Sequence, residues 1–460
     1  MTNPLAVHPL FSDHAVLPHG IALPVSGRSL PGQPVKVQLG ERQVTGRANA
    51  SGRWEVVFEP LPPGGPHVMT VSSSTGQVVR RNLMVGEVWL AAGGIGMAQP
   101  VSAAQGGTVA LRRVDLTRVR VFNQAAVGAD HPAQDAAGRW QELVPSKSGE
   151  FSALALHFGQ TMSAAVDCAV GLIVTAWPGC PLLAWLHGET LRGRPELRRL
   201  MLTRHERIAS GLPRGDNGSA RVEWSPASAF NGMIAPLTRF PVNGVVWHQG
   251  EVCAAGPSDH GWALQALIQG WRTAWERADL PFLFVQLPGS RGGGDEHCSL
   301  LREAQSKVSS LPFTAMVVAA DALDASKEKG GADVRTVAER LVLAALALTR
   351  GRSLPWNAPL PLGAETCDGA ITVRFAERVS GPEAKVTVPA GAFLVAGSDR
   401  RFLPAEASLE GDRVRVSHPS IRNPLAVRYG WGAVPELVLR TASGVPVAPF
   451  RTDDWQSGAE

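Results

Sequence analysis

Between about residue 82 and residue 349, short and almost continuous apolar runs alternate with longer amphipathic ones. This alternation restricts the fold more than any other feature of the chain. The apolar runs are Gly86–Ala92, Arg118–Phe122, Ala169–Ala176, Gly244–His248, Pro281–Gln286 and Ala315–Ala320. Runs without polar interruption are expected of parallel strands buried on both faces. The segments between them predict helices over Phe151–Ser163, Pro195–Ser210, His260–Arg277, Cys298–Ser309 and Asp333–Thr349. In the last of these Val334, Val337, Leu341, Ala344, Ala345 and Leu348 recur close to every 3.6 residues. Strands alternating with helices predict an α/β fold, a doubly wound parallel sheet with flanking helices.

Both ends of the chain read differently. Residues 1–80 alternate apolar and polar positions in short pieces, broken by Gly, Pro and Asn-Ala-Ser-Gly clusters every eight to twelve residues. That spacing predicts a small β-sandwich-like domain. From about residue 365, "GAITVRFAE", "GAFLVAG" and "LAVRYGW" are again strand-like, and "LEGDRVRVS" reads as a hairpin. The 49 Gly and 35 Pro fit a chain with many turns. Three domains are expected: 1–80, 81–355 as the α/β domain, and 356–460 as a C-terminal β-domain.

Composition removes several function classes. Lys+Arg is 44 against Asp+Glu 40, a net charge of +4, with no dense basic run, so nucleic-acid binding by bulk charge is excluded. No apolar run reaches the ~18 residues that span a bilayer. The first residues show no basic region followed by an apolar one, so a cytoplasmic location is expected unless a leader has been removed. The five Cys, at 168, 180, 253, 298 and 367, are widely spaced and form no CxxC pair. That pattern predicts neither a disulfide framework nor a zinc site. No cofactor and no metal is expected. The Gly-rich stretch Ser290-Arg291-Gly292-Gly293-Gly294-Asp295 lacks the Lys-Ser/Thr of a phosphate-binding loop.

In an open parallel sheet, ligands bind outside the carboxyl ends of the strands. The loops to read are therefore Gly93-Gly94-Ile95-Gly96-Met97, Trp177-Pro178-Gly179-Cys180, Trp247-His248-Gln249-Gly250-Glu251-Val252-Cys253 and the residues after Ala320. With "LFSDHAVL", "VGEVWLAAGG", "FNGMIAPL", "GVVWHQGE", "LPFLFVQL", "LREAQ" and "APFRTDDW", the chain resembles the sialate O-acetylesterase family of SGNH hydrolases over nearly its whole length. The resemblance implies a flavodoxin-like esterase domain between two β-domains, and ancestry in the deacetylation of sugars.

The positions that carry the family's chemistry depart from its pattern. The family's first block is Gly-Gln-Ser-Asn-Met, whose Ser is the nucleophile; here Ile95 stands in its place. The family's Asp-x-x-His supplies the base. Counted back from Val337-Ala338-Glu339-Arg340-Leu341, the His position falls near Gly330 and the Asp near Glu328, and no histidine occurs between His297 and His418. Gln-Gly-Glu-Ser-Asn has become Gln249-Gly250-Glu251-Val252-Cys253, and Trp-Gly-Gly-Thr has become Trp177-Pro178-Gly179-Cys180. Acyl transfer of this kind needs a nucleophile, a base and oxyanion donors. Losing nucleophile or base costs on the order of 10⁶ in kcat in subtilisin.

Two readings follow. In the first, the protein is a degenerate esterase whose vestigial cleft comprises Gly93, Gly94, Ile95, Gly96, Trp177, Gly179, Cys180, Trp247, Gln249, Gly250, Glu251 and Cys253. It would hold an acetylated carbohydrate through Trp177 or Trp247, or partner an active paralogue or a second copy. In the second, Cys180 or Cys253 with His248 forms a rewired thiol site. Against each residue stands a structural role: small buried thiols, a Glu251 that braces its loop, and tryptophans packed in a core.

Overall fold

The structure, a computed structural model, describes residues 5–104, 117–193, 225–249, 257–289, 295–322, 333–354, 356–381 and 387–455. The helix expected over Pro195–Ser210 lies outside the described residues, as does most of the Gly-rich stretch after Ser290. The chain divides into two compact units, Met1–Glu251 with Ala263–Phe282, and Val252–Trp262 with Leu283–Glu460.

The first unit opens with antiparallel strands whose side chains alternate between burial and exposure. Pro34–Leu39 buries Val35, Val37 and Leu39, and Arg53–Phe58 buries Trp54, Val56 and Phe58. Ala6–Val7, Leu23–Arg28 and Arg53–Phe58 form one sheet; Pro34–Leu39 pairs with Arg42–Arg47 and Gly64–Ser73 in another. The strand Gly76–Gly93 then changes surroundings along its length, with Asn82 at φ +58° within it. Its first half pairs antiparallel with Gly64–Ser73 and is part exposed. Its second half is buried throughout and lies parallel to Ala169–Ala176 on one side and Gly244–His248 on the other. Val119–Asn123 extends this parallel sheet beyond Ala169–Ala176, and Trp140–Glu142 adds an antiparallel edge. Helix Ala153–Val166 starts where Ser152 caps the Ala155 N–H and ends at Asp167 in the left-handed region. It lies close on the sheet at Gly159, where a side chain would meet Leu172 at 2.8 Å.

The second unit contains helices Asp295–Val308 and Val334–Arg350 and the strand Thr314–Val317. Val334–Arg350 is capped by Asp333, buries Val337, Leu341, Ala344 and Ala345, and stops at Gly351 with φ +58°. A seven-stranded antiparallel sheet follows, from Gly363–Cys367 at one edge to Phe450–Arg451 at the other. Its hairpin Leu403–Glu410 to Arg413–Ser417 turns through Gly411 at φ +63°.

Arg302, from the "LREAQ" motif, is wholly buried. It donates to the carbonyls of Leu287 (2.9 Å), Pro288 (2.9 Å), Gly432 (2.6 Å) and Ala433 (2.9 Å). Burial pushes its pKa down to about 10, which leaves it charged at neutral pH. In the same motif Glu303 pairs with Arg451 at 3.0 Å, and Asp453 pairs with Arg428 at 3.0 Å. The terminal "APFRTDDW" thus clasps the helix that carries Arg302. No helix among the described residues is long and apolar enough to cross a membrane.

Candidate functional site

Strand register assembles the site. Gly93, the last residue of its strand, faces Ala176 on one side and His248 on the other, so three strand ends finish at one level. Gly93 has φ +145°, and a Cβ there would stand 2.1 Å from the His248 carbonyl oxygen. Only glycine fits, on both counts. Gly94 donates to the same carbonyl at 3.1 Å and turns the chain into a single helical turn, Ile95–Ala98. Ile95 begins that turn with 57% of its surface exposed. The first loop thus presents an aliphatic side chain to solvent.

The second loop folds back onto the first. Trp177 donates its backbone N–H to the Gly93 carbonyl at 2.9 Å, and Gly179 supplies a φ of +77°. Cys180 is 1% exposed, and Gln249 donates to its carbonyl at 3.3 Å. Gly93, Gly94, Ile95, Gly96, Trp177, Gly179, Cys180 and Gln249 therefore gather around one strand end. Gly250, Glu251, Cys253 and the Gly330 position lie outside the described residues.

Two residues stand otherwise than the sequence suggests. Successive side chains of a strand point to opposite faces. Trp247 accordingly turns into the core, 3% exposed, and meets Trp185 and Trp271 edge-on at 5.5 and 5.7 Å. It is no sugar-stacking surface, and this corrects its assignment to the cleft. His248, on the other face, is also 3% exposed and packs its ring beneath Gly96. A Cβ on Gly96 would lie 2.4–2.6 Å from that ring. The imidazole thus occupies space that any side chain at position 96 would need. The Gly in "GGIGM" was the only sequence signal of this contact.

The remaining signatures prove to be scaffold. Gly232 of "FNGMIAPL" lies against the Val127 carbonyl, where a Cβ would come within 2.1 Å, and Asn231 donates to the carbonyls of Ala129 and Asp130. Gln124, buried beyond the strand Val119–Asn123, donates to the Met233 carbonyl at 3.0 Å. In the second unit Asp321 accepts from Arg340 through both oxygens, at 2.7 and 2.8 Å, and from Arg440 at 3.0 Å. Burial alone would raise its carboxyl pKa; the two guanidiniums outweigh that and hold it below the usual value. The loop after the last parallel run therefore carries an ion-pair anchor. No three His, Cys, Asp or Glu among the described residues gather as metal ligands would.

Comparison with known proteins adds the lineage. The family described as carbohydrate esterase, sialic acid-specific acetylesterase, matches residues 142–342. A carbohydrate acetylesterase from Xanthomonas citri superimposes with a TM-score of 0.87 at 31% identity, covering 98% of this chain and all of that one. The chain belongs to the sialate O-acetylesterase family of carbohydrate esterases. Sialate O-acetylesterases of Pongo abelii and Homo sapiens are 26% and 27% identical. The alignments cover 92% and 73% of this chain, and 88% and 69% of those proteins. Within this carbohydrate-esterase lineage the fold is mixed α/β.

Proposed function

We propose that this family member does not hydrolyse esters. It uses the esterase scaffold, a flavodoxin-like SGNH arrangement, to hold an acetylated carbohydrate or a protein partner: an active paralogue or a second copy of itself. One observation carries the reading. Ile95 begins the turn after Gly93 and is exposed, in a loop held by backbone hydrogen bonds from Gly94, Met97 and Ala98. An aliphatic side chain there gives an acetyl group apolar contact and no attacking atom. The lack of histidine between His297 and His418 removes the family's base as well.

The rewired thiol reading is weaker. A nucleophilic thiolate must reach its substrate, and Cys180 is 1% exposed with its sulfur turned toward the Pro181 carbonyl. His248 lies beneath Gly96. Purified protein should hydrolyse p-nitrophenyl acetate and O-acetylated sugars no faster than a buffer control. Turnover that survives repurification would overturn the proposal. Its loss in Cys180→Ala or Cys253→Ala would install the thiol mechanism instead. Titration with acetylated and deacetylated sugars then separates the two non-catalytic roles: no response at millimolar concentration leaves the partner role.

A further inference from the structure

A cleft of about 670 Å³ opens on the first unit, and neither the Gly93–Met97 stretch nor the Gly179 loop contributes to it. That size falls among small-molecule sites. Its floor is the outward face of the strand pair Leu23–Arg28 and Arg53–Phe58; its walls are residues 132–135 and 235–240. Four guanidiniums line it, Arg28, Arg47, Arg53 and Arg239, against two carboxylates, Glu55 and Asp135.

The carboxylates are already engaged. Asp135 pairs with Arg28 at 2.9 Å and Glu55 with Arg239 at 2.6 Å. Neither Arg47 nor Arg53 pairs with a carboxylate among the described residues; Arg47 donates only to the Gly32 carbonyl. The cleft thus keeps two positive charges beyond its own balance. Burial pushes the His8 imidazole pKa down, against Asp135 and the Gln134 carbonyl, so His8 adds no charge near neutral pH. Register makes the excess sharper. Arg28 and Arg53 are direct partners across the antiparallel pair, an arrangement of like charges that disfavours the empty site. A bound anion removes that repulsion.

The rest of the lining sets the ligand's body. Trp54, Phe11 and Phe240 reach the cleft but are buried, so no aromatic face is offered for stacking a neutral sugar. Ser26, Ser51 and Thr238 line the cleft beside the arginines instead. Planar guanidiniums match a carboxylate bidentately, and neighbouring hydroxyls suit a polyhydroxyl frame. We propose that this cleft is a binding site for a carboxylate-bearing saccharide, held by Arg47 and Arg53 and separate from the Ile95 site.

The test is calorimetric titration of the full chain with trigalacturonate, with the neutral xylotriose and with inorganic phosphate. Trigalacturonate should bind, more weakly as salt rises; xylotriose should not bind. Arg47→Gln with Arg53→Gln should weaken trigalacturonate binding at least about tenfold, since two charge-assisted contacts are lost. Both side chains lie on the surface, so an unchanged melting temperature is expected and reports folding. Arg47→Lys with Arg53→Lys keeps charge without the fork and should fall between. Equal binding of xylotriose, an unaffected double glutamine variant or no binding of trigalacturonate would each overturn the assignment. Phosphate binding as tightly as trigalacturonate would reduce the cleft to a simple-anion site and overturn it too. None of these results depends on whether Ile95 supports turnover.

Discussion

Arg302 and Ile95 both stand in signature motifs, yet their surroundings are opposite. Arg302 is fully buried and donates to four carbonyl groups. Ile95 is 57% exposed, so more than half of its surface meets solvent. A polar residue in the first setting holds the fold, because its removal orphans its partners. A polar residue in the second serves only chemistry, so its loss costs function and almost no stability. On the proposed reading, an esterase scaffold stands without its nucleophile while "LREAQ" and the terminal clasp stay intact.

The sharpest way to break this contrast is Arg302→Met. It removes the charge and strands the carbonyls of Leu287, Pro288, Gly432 and Ala433. A loss of about 3–5 kcal/mol is expected, the range for removing one partner of a buried charged network. Chemical denaturation checks it. A loss below about 1 kcal/mol would show that the guanidinium is not what secures this helix.

Acid sharpens the comparison next. Burial, with His297 nearby, pushes His260 down to about 4 from 6.5. A lowered histidine pKa contributes stability that is present above about pH 6.5 and is lost as pH falls toward 4. Integrated over that window the loss approaches about 3 kcal/mol. Melting temperature should drop between those pH values, and His260→Gln should flatten the slope. An equally steep slope in the variant would assign the titration elsewhere.

Much of this was legible in the chain itself. Ala169–Ala176 and Gly244–His248 stand where their unbroken apolar runs put them, because burial on both faces leaves one reading. The strand from Gly86 begins ten residues earlier, at Gly76, since its first half alternates like a half-exposed strand while its second half does not. Composition hides such a join. The short edge strand Trp140–Glu142 has too few residues for any period. At the site, the exposed Ile95 stands in a loop that the sequence singled out, but the partner of Gly96 was not readable. That contact joins two distant strand ends, and nothing local to "GGIGM" names His248. Trp247 misled for a related reason: its loop position is visible in sequence, whereas its face depends on which side of the sheet His248 takes. The arginine cleft escaped notice because Arg28 and Arg53 meet only through register.

Gly96 offers a smaller perturbation inside the site. Gly96→Ala puts a methyl within 2.4–2.6 Å of the His248 ring, which must move in a fully packed setting. Overpacking of this size costs about 1–3 kcal/mol. His248→Ala added to Gly96→Ala should recover part of that loss. Without recovery in the double variant, the clash is not with the imidazole.

The smallest expected effect is the most informative. Ile95→Ser restores a hydroxyl at an exposed position, so stability should change by no more than about 0.5 kcal/mol. Activity should stay at background despite the new nucleophile. A serine hydroxyl needs a base, and no histidine lies between His297 and His418 to supply one. The next position is also closed, because the His248 ring fills the space an Asn at 96 would use. Denaturation and ester hydrolysis measured on the same preparation separate the two claims. A large destabilisation would mean that Ile95 packs against something and the contrast with Arg302 fails. Turnover from Ile95→Ser alone would mean that the chain still holds a working base, and that only its nucleophile has gone.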